Sequence, residues 1–244
     1  MKLEDLQKSW DAFGKTDPLW SILTWPGKKG NQWEIGEFFE SGREEIDALI
    51  KNLESLAPRA RRTKALDFGC GVGRLTQALA PHFDDVAGVD IAPSMIALAR
   101  SYNRYGDKCK YFLNATNDLT VFGNDVFDLI YTNITLQHIP PRFSRGYIKE
   151  LLRVLAPGGL MVFQLLGKPL GVLRGLVFRM VPTGFLQVCR MVRQRTFRPM
   201  GMYGMKREDV VRFLEDNGAR IVDIRQDQWG GPGWESFRYC VTKG

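Results

Sequence analysis

The chain is short of the residues that build metal and redox centres. Of its 244 residues only two are histidine and four are cysteine (Cys70, Cys109, Cys189, Cys240), and no metal-ligand spacing links them. That scatter argues against a structural zinc site and for thiols that stay reduced. No run of about eighteen uninterrupted apolar residues occurs, so no membrane-spanning helix is predicted. The first residues, Met1-Lys-Leu-Glu-Asp-Leu6, mix charges where a secretory signal would be apolar, and a cytoplasmic protein is expected. Acidic residues are missing from Leu151 to Arg207, a stretch with ten Lys or Arg in a chain of net charge +7. The rest of the chain is therefore slightly acidic, and the basic character belongs to one segment. An asymmetry of that kind points to nucleic acid, an anionic membrane or an acidic substrate as partner.

What is present is ordinary for a soluble globular protein: 44% hydrophobic and 25% charged residues, enough to build one α/β domain with a full core. Four tryptophans (Trp10, Trp20, Trp25, Trp33) crowd the first 33 residues, and residues 1–62 read as a helical, aromatic-rich cap. Within it Ser41-Gly-Arg-Glu44 has the capping-box pattern. Ile46, Leu49, Ile50 and Leu53 follow at helical spacing. From residue 63 to 166, strands and helices alternate, the pattern of a mostly parallel, doubly wound sheet. Strands are predicted at 65–68, 86–89, 110–113, 126–131 and 160–166, with helices at 74–80, 93–100 and 144–155 between them. Residues 167–205 form an insertion after the fifth strand, basic and apolar, with helical faces at 173–180 and 185–192. It reads as a substrate lid, with a membrane-surface contact through 170–198 or a dimer contact as alternatives. Residues 206–244 add a helix (207–217) and an antiparallel pair, 219–226 with 235–242, to complete seven strands.

The chemistry is concentrated at Asp67-Phe-Gly-Cys-Gly-Val-Gly73, a strand end, a glycine-dense turn and a helix start. Gly69, Gly71 and Gly73 permit positive φ and leave no Cβ against a ligand, and the helix start offers unpaired N–H groups. Asp90 ends the next apolar run about twenty residues on, where a dinucleotide fold places the acidic residue that binds ribose hydroxyls. The third glycine comes one residue too early for the dinucleotide pattern, and an acidic residue ahead of the turn suits a cationic ligand better than a pyrophosphate.

These residues resemble the cofactor site of class I S-adenosylmethionine-dependent methyltransferases. Val126-Phe-Asp running into Asn133, His138-Ile-Pro140 and Pro157-Gly-Gly159 are further points of likeness, covering residues 63–166 well and 204–243 in outline. The resemblance implies a Rossmann-like, seven-stranded, mostly parallel sheet with one antiparallel strand. It also implies S-adenosyl-L-methionine as cofactor, leaving as S-adenosyl-L-homocysteine. Asp67, Gly69, Gly71, Gly73, Asp90, Ile91 and Asn133 would hold it, with one of Thr116, Asn117 and Asp118 at the adenine. Glu40 to Arg43 would lie near the mouth, Arg43 as a partner for the methionine carboxylate. His138 is the candidate general base where the acceptor must lose a proton. His82 reads as surface and Tyr131 as core.

Asn133-Ile-Thr-Leu136 is not the Asn/Asp-Pro-Pro-aromatic motif that grips an exocyclic amine, and no Pro-Cys pair supplies a thiolate for cytosine. A nucleic-acid acceptor is thereby disfavoured, and a small aromatic or amphipathic acceptor with some negative charge is expected. A nucleic-acid or protein methyltransferase docking through 168–207, or a non-catalytic cofactor-binding or membrane-associated module, stands as the alternative.

Overall fold

The computed structural model describes residues 2–57, 60–170 and 200–243. Its centre is a seven-stranded sheet formed by β1 (Lys64–Phe68), β2 (Asp85–Asp90), β3 (Cys109–Leu113), β4 (Phe127–Thr132), β5 (Leu155–Pro169), β6 (Ala219–Gln226) and β7 (Trp234–Lys243). The strands lie in the order β3-β2-β1-β4-β5-β7-β6. The first five are parallel where they pair. β7 runs antiparallel to both β5 and β6 and is the single reversed strand. This is the predicted doubly wound sheet. The order reverses between β1 and β4, so a crevice opens there, outside the carboxyl ends of the strands.

The sequence makes these elements for local reasons. β4 is buried at every residue, as a strand covered on both faces must be. α4 (Arg74–Leu79), α5 (Pro93–Tyr102) and α6 (Pro141–Val154) are the crossovers; α5 and α6 begin with proline, whose fixed φ suits a first helical turn. Two apolar layers flank the sheet. One gathers Leu66, Ile130, Met161 and Phe163 against Ile148 and Leu151 of α6 and Leu214 of α7 (Arg207–Asp216). The other gathers Ala65, Leu129 and Val162 against Leu75 and Leu79 of α4 and Ile46, Leu49 and Ile50 of α3 (Ile35–Leu56).

Two boundaries move furthest from the sequence reading. α3 begins at Ile35, not Ser41, and the Ser41 hydroxyl donates to the Phe38 carbonyl inside the helix. The entry is set instead by Trp33 packing edge-on against Phe38, at 5.5 Å between rings, a hydrophobic staple across the helix start. β5 begins at Leu155 and takes in Pro157-Gly-Gly159, with a register shift opposite Phe127–Leu129.

The N-terminal segment folds over the crevice as α1 (Leu3–Thr16) and α2 (Pro18–Ile22). Asp11 accepts the Ser94 N–H at the start of α5 at 2.8 Å, Ser94 Oγ donates to the Asp11 carbonyl, and Gln7 donates to the Ile91 carbonyl. The insertion predicted at 167–205, with both its helical faces and Cys189, lies for the most part outside the described residues. Residues 200–205 return past β5: Met205 N–H donates to the Leu166 carbonyl and Tyr203 N–H to the Gln137 carbonyl. No helix among the described residues is long and apolar enough to cross a membrane.

Gly42 marks a close backbone contact between cap and sheet domain. A Cβ there would meet the Arg74 carbonyl oxygen at 2.7 Å, a backbone atom that cannot step aside. Gly42→Ala is expected to lower stability by about 1–3 kcal/mol through overpacking, read as a lower urea midpoint with an unchanged slope.

Candidate active site

The loop between β1 and α4 is held open by its glycines. Gly69, Gly71 and Gly73 have φ of 77°, 53° and 85°, the left-handed region where a side chain is strained. They also sit beneath other groups: a Cβ on Gly69 would collide with the Thr135 side chain, and one on Gly71 with Ile22 of α2. Asp90 at the end of β2 accepts the Gly71 N–H at 2.9 Å through one oxygen and the Ala92 N–H at 2.8 Å through the other. Burial raises its pKa against the pull of these donors. A carboxylate has about four acceptor positions, so capacity remains for two hydroxyls.

Asp67 does not face the cleft. It is 1% exposed, behind the glycine loop, where the Thr76 hydroxyl donates to it at 2.7 Å. Burial pushes its pKa up to about 7. Beside it lies a buried cluster that sequence spacing did not reveal. Arg74, the first residue of α4, is ion-paired to Glu45 of α3 at 2.8 Å, with both side chains almost fully covered. The second Glu45 oxygen accepts from Tyr131 Oη at 2.8 Å and Asn133 Nδ2 at 2.7 Å. Burial raises the Tyr131 pKa well above its ordinary value and so keeps the phenol a donor. Two buried polar atoms of this cluster, Arg74 Nε and Asn133 Oδ1, have no partner among the described residues, and both side chains line the cleft.

About 900 Å³ of space lies in the cleft, counting the open solvent at its mouth. Gly69, Gly71, Asp90, Ile91, Asn114 and Asn133 line it, with Leu6, Trp10, Ile134, His138, Ile139 and Tyr147. Ile134 has φ 50°, a costly conformation for a β-branched residue and of a kind that clusters at functional sites.

Of the residues predicted from sequence, Gly69, Gly71, Asp90, Ile91, Asn133 and His138 come together around this cleft, while Gly73 and Asp67 lie behind it. The structure puts Arg43 elsewhere: it is on the outer face of α3, 62% exposed and paired with Glu40. The helical turn explains this, because Gly42, Glu45, Ile46 and Leu49 share the inner face and Arg43 is rotated out of it. The arginine among the residues that line the cleft is Arg74. Thr116, Asn117 and Asp118 are not in the wall either. Their loop turns back on itself, with Asp118 accepting from Thr116 and Thr120 and with Asn114 Nδ2 tying the Thr116 and Asp118 carbonyls. That turn leaves Asn114, first after β3, as the polar residue at the cleft. His82 is at the surface, 3.0 Å from Asp47.

Trp10 of α1 meets His138 edge-on at 5.3 Å between rings. His138 ends a single 3-10 turn (Leu136–His138) after β4, and its Nδ1 lies 2.7 Å from the Gly201 carbonyl. Cys70 also faces the cleft, but burial and then Asp90 raise its thiol pKa well above normal, so it holds no thiolate nucleophile.

A glycine cradle beside a buried carboxylate, at the switch point of a seven-stranded sheet, has the form of the cofactor site of class I S-adenosylmethionine-dependent methyltransferases. Residues 65–159 match the family described as "Methyltransferase domain". A ubiquinone biosynthesis O-methyltransferase of Bordetella avium is 26% identical over 187 residues, 70% of this chain and 77% of that protein. One from Coxiella burnetii is 27% identical over 168 residues. The chain spans 64% of the Coxiella protein's length. The crystal structure of magnesium protoporphyrin IX methyltransferase from Synechocystis, with S-adenosylhomocysteine bound, aligns over 99% of both chains at a TM-score of 0.65 and 19% identity, a likeness of fold.

Asp67 sets a testable pH dependence. Its folded pKa of about 7 lies above the unfolded value of 3.8, so the folded chain keeps a proton that the unfolded chain has lost between those limits. The stability this group contributes is complete below about pH 4 and falls as pH rises towards 7, by up to about 1.4 kcal/mol per unit. Asp67→Asn is expected to flatten that slope. Urea midpoints of both chains at pH 5 and pH 7.5 measure it, and parallel slopes would refute the assignment.

Proposed function

We propose that this chain methylates a small, ring-bearing, largely apolar acceptor seated between α1 and the turn carrying His138. The observation that carries this reading is the mixed lining of the cleft. Asp90, Arg74 and Asn133 line it beside Gly69 and Gly71, and Leu6, Trp10, Ile134 and Ile139 add an apolar share of the wall. Relatives named for ubiquinone biosynthesis and for magnesium protoporphyrin IX support an acceptor of that chemistry. The cluster of Arg74, Tyr131 and Asn133, the closed cap and the apolar wall all favour a small molecule over a polymer, and a cytoplasmic setting suits the buried free thiols Cys70, Cys109 and Cys240.

The residues suit the cofactor's parts. Asp90 would take the ribose hydroxyls, Ile91 and Asn114 the adenine edge, and the Gly69–Gly71 backbone and Asn133 Oδ1 the amino-acid end. Arg74, with its unpartnered Nε, would take the carboxylate in the role expected of Arg43. S-adenosylmethionine supplies an activated methyl group on a sulfonium, so no acid is needed to release it. The protein's part is to align the acceptor atom and exclude water. α1, pinned to α5 through Asp11 and Ser94, closes the site. His138 has both ring nitrogens engaged, Nδ1 by the Gly201 carbonyl and Nε2 by the Gln137 amide, so no proton transfer is assigned to it.

The test is a thermal-shift titration with S-adenosylmethionine, S-adenosylhomocysteine and NADH. At about a hundred times its dissociation constant a ligand adds roughly 2.7 kcal/mol. The two adenosyl compounds should stabilise the wild type, and Asp90→Ala should abolish the shift. Stabilisation by NADH alone would overturn the reading. With cofactor bound, a screen of quinols and phenols should give methylated product, and Trp10→Ala should raise the acceptor KM while leaving the cofactor shift unchanged.

A further inference from the structure

Glu45, on α3 of the cap, has a side chain only 6% exposed. One of its oxygens accepts from Arg74 Nη2 at 2.8 Å, and the other from Tyr131 Oη at 2.8 Å and Asn133 Nδ2 at 2.7 Å. A buried carboxylate with three donors fixes the polarity of the groups around it, because it can only accept. The Asn133 amide can therefore offer Glu45 nothing but its NH2; turned over, it would set oxygen against oxygen. Chemistry assigns the orientation, with Nδ2 towards Glu45 and Oδ1 away from it.

The same helix holds Arg74 by its stem and by its head. A Cβ on Gly42 would stand 2.8 Å from Arg74 Cγ, and Ser41 Oγ accepts from Nη1 at 3.4 Å. With both terminal nitrogens engaged on α3, Nε is the guanidinium donor left over. Two atoms thus remain: a donor on a cation, Arg74 Nε, and a neutral acceptor, Asn133 Oδ1. Both are buried without a partner among the described residues, on side chains that line the cleft and are 2% and 4% exposed. A ligand end that fits both carries an anionic acceptor and an N–H donor. A zwitterionic α-amino acid has the two on one carbon, as carboxylate and ammonium.

We propose that Glu45 is a positioning residue for the amino-acid end of the cofactor. It sets Arg74 Nε and Asn133 Oδ1 as a matched donor and acceptor, and so makes the site select adenosyl compounds that carry an α-amino acid over those that lack one. Glu45 is not among the residues that line the cleft; it acts through its two partners. In the cofactor reading above, on which this rests, Arg74 and Asn133 meet the ligand, and Glu45 decides which atom each presents. An adenosyl compound without that end leaves both atoms buried and unpaired, which is costly.

Two ligands separate this role from a merely structural one. S-adenosylhomocysteine carries the amino-acid end, and 5′-methylthioadenosine shares its adenosine and thioether but lacks that end. Calorimetric titration of the wild type should show S-adenosylhomocysteine binding the tighter. Glu45→Gln puts an NH2 where a carboxylate oxygen stood, which releases Arg74 and lets the Asn133 amide turn over. It should weaken S-adenosylhomocysteine by about tenfold or more, the scale of a hydrogen bond to a charged group, and leave methylthioadenosine within about twofold. If Glu45→Gln does not fold, Glu45→Asp keeps the charge but is one methylene too short to hold both partners, and it should show the same one-sided loss at smaller size. An equal loss for both ligands, or an unchanged affinity for S-adenosylhomocysteine, overturns the proposal and leaves the cofactor reading standing. A wild type that binds neither compound overturns that reading, and the proposal with it.

Discussion

The buried pair between Arg74 and Glu45 is the constraint on which the site depends. It joins α3 of the cap to α4 of the glycine loop, and through Tyr131 and Asn133 it reaches the end of β4. Two charges held almost out of water cost several kcal/mol in desolvation, which their attraction offsets only when the remaining hydrogen-bonding capacity is filled. Glu45 is fully engaged; Arg74 Nε and Asn133 Oδ1 are not. Glu45 is therefore satisfied, while two cleft-lining side chains of the cluster each keep one buried atom without a partner among the described residues.

The cap follows from that pair. Gly42 lets α3 approach the Arg74 backbone, and Ile46, Leu49 and Ile50 seal the contact with α4. On the opposite flank Asp11 and Gln7 fasten α1 to the loop and helix after β2. The crevice of an open sheet thus becomes an enclosed cleft, with a polar floor from the sheet and an apolar roof from the cap. Left-handed backbone gathers here: Gly69, Gly71 and Ile134 all border the cleft. Low local dielectric strengthens whatever polar contacts a ligand makes inside.

Much of the fold was legible in the sequence, because the period of apolar residues reports burial directly. β1, β2, β3 and β4 fall where the runs predict, and the reversed β7 follows from the Gly-rich turn at 230–233. The glycine loop and Asp90 were legible for a different reason, since the glycines mark backbone that no other residue adopts cheaply. The misreadings share a cause. Ser41 looked like a cap because a four-residue pattern ignores the Trp33–Phe38 staple, and Arg43 looked like a ligand because sequence adjacency says nothing about which helix face turns inward. Arg74 directly follows the motif, yet only the structure shows that it is buried and lines the cleft.

The sequence by itself determined the class of sheet, the place of its switch point and the loop that a nucleoside-like cofactor needs, since these depend on short-range periodicity and on glycine's freedom at positive φ. Tertiary structure alone decided which polar groups meet. Glu45 and Asn133 are 88 residues apart, Gln164 and Ser236 are 72, and His138 and Gly201 are 63. No local pattern encodes such pairs, because the energy that brings them together is the burial of the apolar layers around them.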